Sequence, residues 1–446
     1  MKPNRGGPGC EAGLEGATAV QGRPESGILV ERIAAGGDGV AREESGRVVF
    51  VPRTAPGDVV EVELTRQKPS WARGRVTRLV SAGGGRRDAP CPYYEECGGC
   101  QLQHLELEAQ RSAKRDLVQQ ALSRIGGVDV AVPDLVPSSA EFGYRNRVTF
   151  SGRELNGRSS LGYHGLDDPG SVVDVRKCLL AEPAIGAVWT AVREAWDVAG
   201  WPASPVAETR WTLRSAAGGA VDVLIRGGES PDPGKLAELM QRLNLSGWHH
   251  APTGGRPICL AGRETLADCW QGIDFELPAD VFLQVNRSVS VEMDRWLEER
   301  VGSLSGRRVL DLYSGVGARA IRWASAGADV AAVEVSSPAV RACRQAAAAM
   351  KVRLKAVSGL AETHVDRLLP ADTVVVNPPR AGLSRSVTER LSSASAERLA
   401  YVSCDPATLA RDVGRLGPGW RVVEVQPFDA FPQTSHVETI AWLERR

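Results

Sequence analysis

From Arg307 to Met350 the chain reads RRVLDLY, SGVGARAIRWASA, DVAAVEV and PAVRACRQAAAAM in close succession. Apolar runs of strand length alternate with runs of helical spacing. Parallel strands need long crossovers between them, so this alternation points to a parallel α/β sheet. A Rossmann-like domain is therefore expected over residues 271–446. The loop DLYSGVG, residues 311–317, lies between its first strand and first helix. There Gly315 and Gly317 let the backbone turn tightly beside a ligand at the carboxyl ends of the strands.

Dinucleotide enzymes use similar loops, but two features point instead to S-adenosylmethionine. Glu334 ends the next strand, where a carboxylate can accept both ribose hydroxyls; the plainer alternative is a solvated strand end. NPPR, residues 377–380, closes the run ADTVVV, and its tandem prolines stiffen the mouth of the pocket. Just before the domain, FLQVN at 282–286 offers Gln284 as a further polar contact.

A chain of 446 residues exceeds what one core usually organises, so two or three domains are expected. Residues 1–25 are rich in Gly, Ala and Glu without periodicity and read as a flexible tail. Residues 26–82 hold short β-rich runs separated by turn signals such as GGDG and APGD, the pattern of a small OB-like barrel. Residues 83–270 mix alternating β-runs with helical stretches, as in an α+β domain. The N-terminus lacks an apolar signal core and no apolar stretch is long enough to cross a bilayer, so a soluble, cytoplasmic monomer is expected.

Lysine plus arginine and aspartate plus glutamate balance at 54 each, so attraction to nucleic acid must come from local patches. Between Leu64 and Arg87 lie Arg66, Lys68, Arg73, Arg75, Arg78, Arg86 and Arg87 with no acidic residue, and Trp71 sits among them. Arginines with an interleaved aromatic suit a phosphate backbone with a stacked base; a charged edge strand is the alternative. Tyr144, Arg145 and Arg147 in GYRNRVTF are further candidates to face RNA, about as readily explained as strand surface.

Cys91, Cys97 and Cys100 form CxxxxxCGGC, and Cys178 arrives from a distant strand. Four thiolates satisfy a [4Fe–4S] cube or a structural zinc. Zinc ribbons usually bring two short-spaced pairs, so three clustered ligands plus a remote one favour iron–sulfur. Gly98 and Gly99 leave room for backbone to wrap it. Four protein thiolates leave no open iron for radical chemistry, so the cluster is expected to be structural or a redox-sensitive folding element.

Cys404 is different, because it ends the apolar run RLAYVS just before a helix, on the rim of the cofactor pocket. A thiolate adding at C6 of uracil turns the ring into an enolate whose C5 can attack a methyl donor. A base must then remove the C5 proton. Glu438, preceded by His436, starts the last strand, which in a methyltransferase sheet inserts beside the fifth.

With these motifs in place the chain resembles the RNA uracil-5-methyltransferases, which make 5-methyluridine in ribosomal and transfer RNA. The likeness spans nearly everything after the tail: a TRAM-type barrel, CxxxxxCGGC, FLQVN, DLYSGVG, NPPR, SCDPATLARD and FPQTSHVE. It implies a seven-stranded methyltransferase sheet, Cys404 as nucleophile and Glu438 as base. It also implies Gln284, Tyr313, Glu334 and Asn377 around the cofactor, and Cys91, Cys97, Cys100 and Cys178 around a [4Fe–4S] cluster. Large-subunit (23S) ribosomal RNA is the first expected substrate and transfer RNA the second, with the uridine flipped out of its stack. Three departures from the family pattern, at four positions, matter. Asn377 stands where Asp is usual, Ser314 and Ala318 replace residues of the glycine loop, and Asp405 stands beside the thiol, where its charge would raise the thiol pKa unless Arg380 or Arg411 offset it. The competing readings are an amino-methyltransferase using NPPR and a non-catalytic RNA-binding or chaperone protein.

Overall fold

The computed structural model describes residues 25–155, 158–199, 208–228, 230, 236, 240–243 and 245–446. The expected tail at 1–25 lies outside the described residues except for Glu25. Two compact units emerge, one running to residue 84 apart from residues 35–37, and one comprising those three residues and 85–446.

The first unit is a closed barrel of β1 (Glu25–Ile33), β2 (Gly39–Arg42), β3 (Val48–Val51), β4 (Val59–Gln67) and β5 (Trp71–Ser81), in the neighbour order β1-β2-β3-β5-β4. Its interior is filled by Ile28, Val30, Ala41, Val49, Val51, Val60, Val62 and Ala72. Small and β-branched side chains of this kind fit a narrow barrel.

The pairing of β4 with β5 corrects the reading of the basic stretch. Arg75 lies opposite Glu63 and bonds it at 2.8 Å, Arg78 lies opposite Glu61 and pairs with it, and Arg73 reaches Asp38 at 2.8 Å. The acids missing from the segment come from neighbouring strands and turns. Arg73 and Arg75 are thus partly neutralised, whereas Arg66 and Lys68 are exposed and the Arg66 guanidinium lies over the Trp71 ring, 5.5 Å from its centroid.

In the second unit, α1 (Leu107–Arg124) precedes the strands β6 (Arg147–Leu155), β7 (Arg158–His164) and β8 (Val172–Asp174), and α2 (Pro183–Ala199) follows them. Next come β9 (Thr209–Ser215), β10 (Val221–Arg226), β11 (Leu245–Ala251) and β12 (Ile258–Gly262). These seven strands form one sheet in the order β12-β11-β10-β9-β6-β7-β8, antiparallel throughout except β10 with β11. Helix α2 covers it through Trp189, which stacks on Phe150 at 4.2 Å and meets Trp211 edge-on.

A hairpin, β13 (Thr265–Trp270) with β14 (Ile273–Pro278), links this sheet to the next. Then follow α3 (Arg287–Val301), β15 (Arg308–Leu312), α4 (Ala318–Ser325), β16 (Asp329–Glu334), α5 (Ser337–Ala349), β17 (Lys355–Ser358), α6 (Ala361–Leu368), β18 (Thr373–Val376), α7 (Arg385–Ser393), β19 (Arg398–Ser403), α8 (Pro406–Leu416), β20 (Trp420–Phe428) and β21 (Glu438–Arg445). The sheet order is β17-β16-β15-β18-β19-β21-β20, parallel through β19, with β21 inserted antiparallel beside it. Both faces are buried, as strand alternation requires: Leu310, Leu312, Leu399 and Tyr401 join the core on one side, and Val309, Val375, Ala400 and Val402 the core on the other.

The expected division at residue 270 does not separate two folding units. It falls at the turn of the β13–β14 hairpin, whose Leu266, Trp270, Phe275 and Leu277 share a core with Val340, Cys343, Ala346 and Ala347 of α5. Likewise Val118, Ala121 and Leu122 of α1 pack in the same core as Leu409, Ala410 and Val413 of α8. Apolar faces on both sides of the division bury each other, so the central and C-terminal parts fold as one unit.

Candidate active site

The glycine loop takes the shape its sequence requires. Gly315 and Gly317 have φ of +59° and +71°, and a Cβ on Gly317 would come within 2.3 Å of the Cys343 sulfur. Tyr313 also lies in the left-handed region at φ +61°. The Gly315 N–H donates to the Glu334 carboxylate at 3.0 Å, and the Ser336 N–H donates to its other oxygen at 2.8 Å. Glu334 is therefore tied to the loop and oriented by it. Asn377 sits at the end of β18 and donates its N–H to Leu312 O at 3.2 Å, while Gln284 is held through its carbonyl, which accepts from Asn146 Nδ2 at 2.9 Å.

Three features of this rim fit a ligand with an apolar ring and polar tail. Phe282, Val335 and Leu360 are 55–62% exposed, an unusual setting for large apolar side chains close to strand ends. Phe282 O lies 3.8 Å from where a Gly315 Cβ would be. Asp311, 1% exposed, has one carboxylate oxygen without a hydrogen-bond partner, and burial pushes its carboxyl up to about 6 although Arg319 opposes this. These residues were not singled out from sequence, although the aspartate opens the glycine motif and the valine directly follows Glu334.

On the neighbouring strand ends, the last register pair of β19 with β21 is Ser403 opposite Thr439. Cys404 directly follows Ser403 and Glu438 directly precedes Thr439, and the Glu438 charge acts on the Cys404 thiol. Cys404 is half-buried and Glu438 is 4% exposed. Burial raises the thiol pKa first and the Glu438 charge second, whereas Arg380 lowers it. Burial also pushes the Glu438 carboxyl up to about 8, against the pull of Arg380. Arg380 Nη2 donates to His436 Nε2 at 3.1 Å, and burial together with Arg380 holds that imidazole down at about 4, so it is a neutral acceptor.

Asp405 has a different role from the one its position suggested. Its carboxylate accepts from Thr408 N at 2.8 Å as the N-cap of α8, and its effect on the thiol is the smallest of those acting there. Arg380 supplies the offset; Arg411 bonds Ala381 O and Asp412 instead.

Cys91, Cys97, Cys100 and Cys178 line one cavity together with Tyr163, Gln103 and Arg145. Cys178 reaches it from the loop after β8. Gly98 and Gly99 allow the cysteine loop to approach the β7 end: added Cβ atoms would stand 3.0 Å from His164 O and 3.4 Å from the Tyr163 ring. Among the described residues no three Cys, His, Asp or Glu side chains converge as a site for a single metal ion.

The expectation that Tyr144, Arg145 and Arg147 face RNA is corrected. Tyr144 is buried and donates its hydroxyl to Pro432 O at 2.9 Å; Arg145 lines the cysteine cavity beneath the Phe431 ring; Arg147 donates to Val281 O at 3.1 Å. They lie where β6 enters the interior, with the Tyr144 hydroxyl and the Arg147 guanidinium each donating to a backbone carbonyl.

A family profile described as tRNA (Uracil-5-)-methyltransferase matches residues 263–446, and one described as TRAM domain matches residues 25–77. An uncharacterised RNA methyltransferase of Gloeobacter violaceus is 32% identical over 97% of this chain and 99% of its own. The chain belongs to the RNA (uracil-5-)-methyltransferase family. Another relative of this family, an uncharacterised RNA methyltransferase of Bacillus cereus, is 31% identical over 94% of this chain and 96% of its own. Among solved structures, the tRNA (uracil-54, C5)-methyltransferase of Pyrococcus abyssi in complex with S-adenosyl-L-homocysteine is 25% identical, with a TM-score of 0.71 over 94% of this chain and 100% of that one. The methyltransferase fold and the TRAM barrel expected from sequence are thereby shown, and no helix among the described residues is long and apolar enough to cross a membrane.

Proposed function

We propose that this chain transfers a methyl group from S-adenosylmethionine to C5 of a uridine in RNA through a covalent Cys404 adduct. The observation that carries the reading is that Cys404 and Glu438 flank the paired residues Ser403 and Thr439, with Glu438 acting on the thiol and Arg380 acting on both. S-adenosylmethionine supplies the methyl group as an electrophilic sulfonium. Gln284, Tyr313, Gly315, Gly317, Glu334 and Asn377 are the residues placed to hold it, Glu334 through the ribose.

After losing its proton, Cys404 Sγ bonds to C6, and the C5–C6 π electrons move toward O4 to give an enolate. C5 would then form its bond to the methyl carbon as the methyl–sulfur bond breaks, the electron pair staying on sulfur and S-adenosylhomocysteine leaving. Glu438 takes the C5 proton, the C5–C6 double bond re-forms, and the C6–S bond breaks to return the thiolate. A Glu438 carboxyl that holds its proton near neutrality removes the negative charge that would oppose thiolate formation. Arg380, fixed by its hydrogen bond to His436, steadies whichever group is anionic.

Cys91, Cys97, Cys100 and Cys178 are read as the ligands of a [4Fe–4S] cluster. What supports this is their convergence on one cavity, since four thiolates are the number a cube takes. A cluster held by these cysteines would tie the loop that carries Cys97 and Cys100 to Cys178. Arg66, Lys68 and Trp71 are the barrel residues placed to meet the RNA backbone and a base.

Large-subunit ribosomal RNA remains the first substrate, on the joint presence of barrel and cysteine set. Transfer RNA is the second, favoured by likeness to the Pyrococcus abyssi enzyme. An amino-methyltransferase would need an aromatic residue after NPP; Arg380 stands there and is directed at His436. RNA containing 5-fluorouridine is expected to form a stable covalent adduct that Cys404→Ser abolishes, and absence of the adduct refutes the mechanism and favours a chaperone. Mapping 5-methyluridine in RNA from cells with and without the gene identifies the substrate.

A further inference from the structure

The loop between β20 and β21 delivers Glu438 to the site, and it is held with unusual completeness. Lys114 Nζ donates to Asp429 Oδ1 at 2.6 Å and Phe431 O at 3.0 Å, Asn286 Nδ2 donates to Ala430 O at 3.1 Å, and Tyr144 donates to Pro432 O at 2.9 Å. Gln433 occupies the centre of this arrangement. It is 0% exposed, and its φ of +72° lies in the left-handed region that a glycine would occupy without strain.

What the side chain gains offsets that strain. The Gln433 N–H donates to Gln110 Oε1 at 2.8 Å, and its carbonyl accepts from Gln101 N at 3.1 Å and Leu102 N at 2.9 Å. Its Oε1 accepts from Arg87 Nη2 at 2.9 Å and Gln110 Nε2 at 3.0 Å, and its Nε2 is directed at Glu141. One residue thus joins the loop of the base to four points of the segment that carries the clustered cysteines. A strained residue persists only where its surroundings over-determine it, and such residues gather at functional sites.

We infer that Gln433 is a positioning residue for the general base: it locks the β20–β21 loop to the cysteine-bearing segment so that Glu438 meets the C5 proton after methyl transfer. The inference rests on the adduct mechanism proposed above. Cys404 lies in the turn between β19 and α8 and not on the β20–β21 loop, so bond formation at C6 and methyl transfer should be nearly insensitive to Gln433, whereas adduct breakdown should depend on it.

The test follows full-length enzyme with uridine RNA and labelled S-adenosylmethionine in single turnover, reading methylated covalent adduct and released product separately. Gln433→Gly keeps the backbone conformation and deletes the side chain. It is expected to form methylated adduct within about threefold of the wild-type rate and to release product ~10²-fold more slowly, the usual scale for a small misplacement of a reacting group. Arg87→Met, at a half-buried position, is expected to show the same imbalance at about tenfold and serves if the glycine variant folds poorly. Equal slowing of both steps, or of neither, overturns the proposal. If wild-type enzyme forms no adduct even with 5-fluorouridine RNA, the functional reading and this inference fall together. If that adduct forms and Gln433→Gly releases product normally, only this inference falls.

Discussion

Breakdown of the methylated adduct should be governed by the ionisation of Glu438. In the adduct Cys404 is a neutral thioether, so its charge no longer acts on the carboxyl. Two influences remain, burial raising the carboxyl to about 8 and Arg380 lowering it. A base works only when deprotonated, so the rate should rise with pH. With the carboxyl near 8, roughly one tenth is ionised at pH 7, one half at pH 8 and nine tenths at pH 9, which gives about a fivefold rise over the first step and about a twofold rise over the second. Adduct formed at pH 6 and jumped to higher pH, with product release followed by quench and denaturing gel, measures this directly. Glu438→Gln should leave the adduct standing at every pH, and Arg380→Met should move the limb to higher pH by removing the cation. A pH-independent rate, or a limb at the ordinary carboxylate range near 4.5, would refute the reasoning.

Lys114→Met should lower stability by about 3–5 kcal/mol in chemical denaturation, because it strands the buried Asp429, and adding Asp429→Leu should recover most of the loss. The proposed [4Fe–4S] cluster predicts visible charge-transfer absorption, iron and sulfide in anaerobically purified protein, most of which Cys178→Ser should remove; absence of iron from the wild-type protein would refute the cluster, and unchanged absorption in the variant would show that this thiol is not a ligand. In the barrel, Trp71→Ala should weaken RNA binding by about 1–3 kcal/mol, while Arg66→Ala and Lys68→Ala each lower the salt dependence by about 0.7–0.9. Arg75→Ala, paired with Glu63, should change that slope by less, as measured by fluorescence anisotropy over a salt series.

Patterns that are local in sequence were legible. Alternating strands and helices fixed the parallel sheet, and the glycine loop, Glu334 and NPPR fell on its carboxyl rim as the topology requires. Cys404 and Glu438 could be paired because the insertion of the last strand follows from the methyltransferase fold. What escaped depends on register or distant packing. Glu61 and Glu63 neutralise arginines that look unopposed along the chain, because cross-strand partners are invisible to a reading in chain order. Tyr144 and Arg147 turn inward to acceptors that distant segments supply, and Arg145 lines the cavity of the cysteines. Gln433 lies inside FPQTSHVE, but its role could not be read there, since its partners near residues 87–141 lie far away in sequence. Asp405 was readable in another way: Asp-Pro ahead of a helical run marks a cap and first turn, so its carboxylate was already committed.

The carboxyl starts β21 and the sulfur sits one residue past the end of β19, its hydrogen-bonded neighbour, so thermal motion of this sheet carries the two together. A slip of one residue between those strands would turn the acid to the opposite face and extinguish turnover. Surfaces that choose the RNA are therefore free to diversify while the reacting pair stays in step.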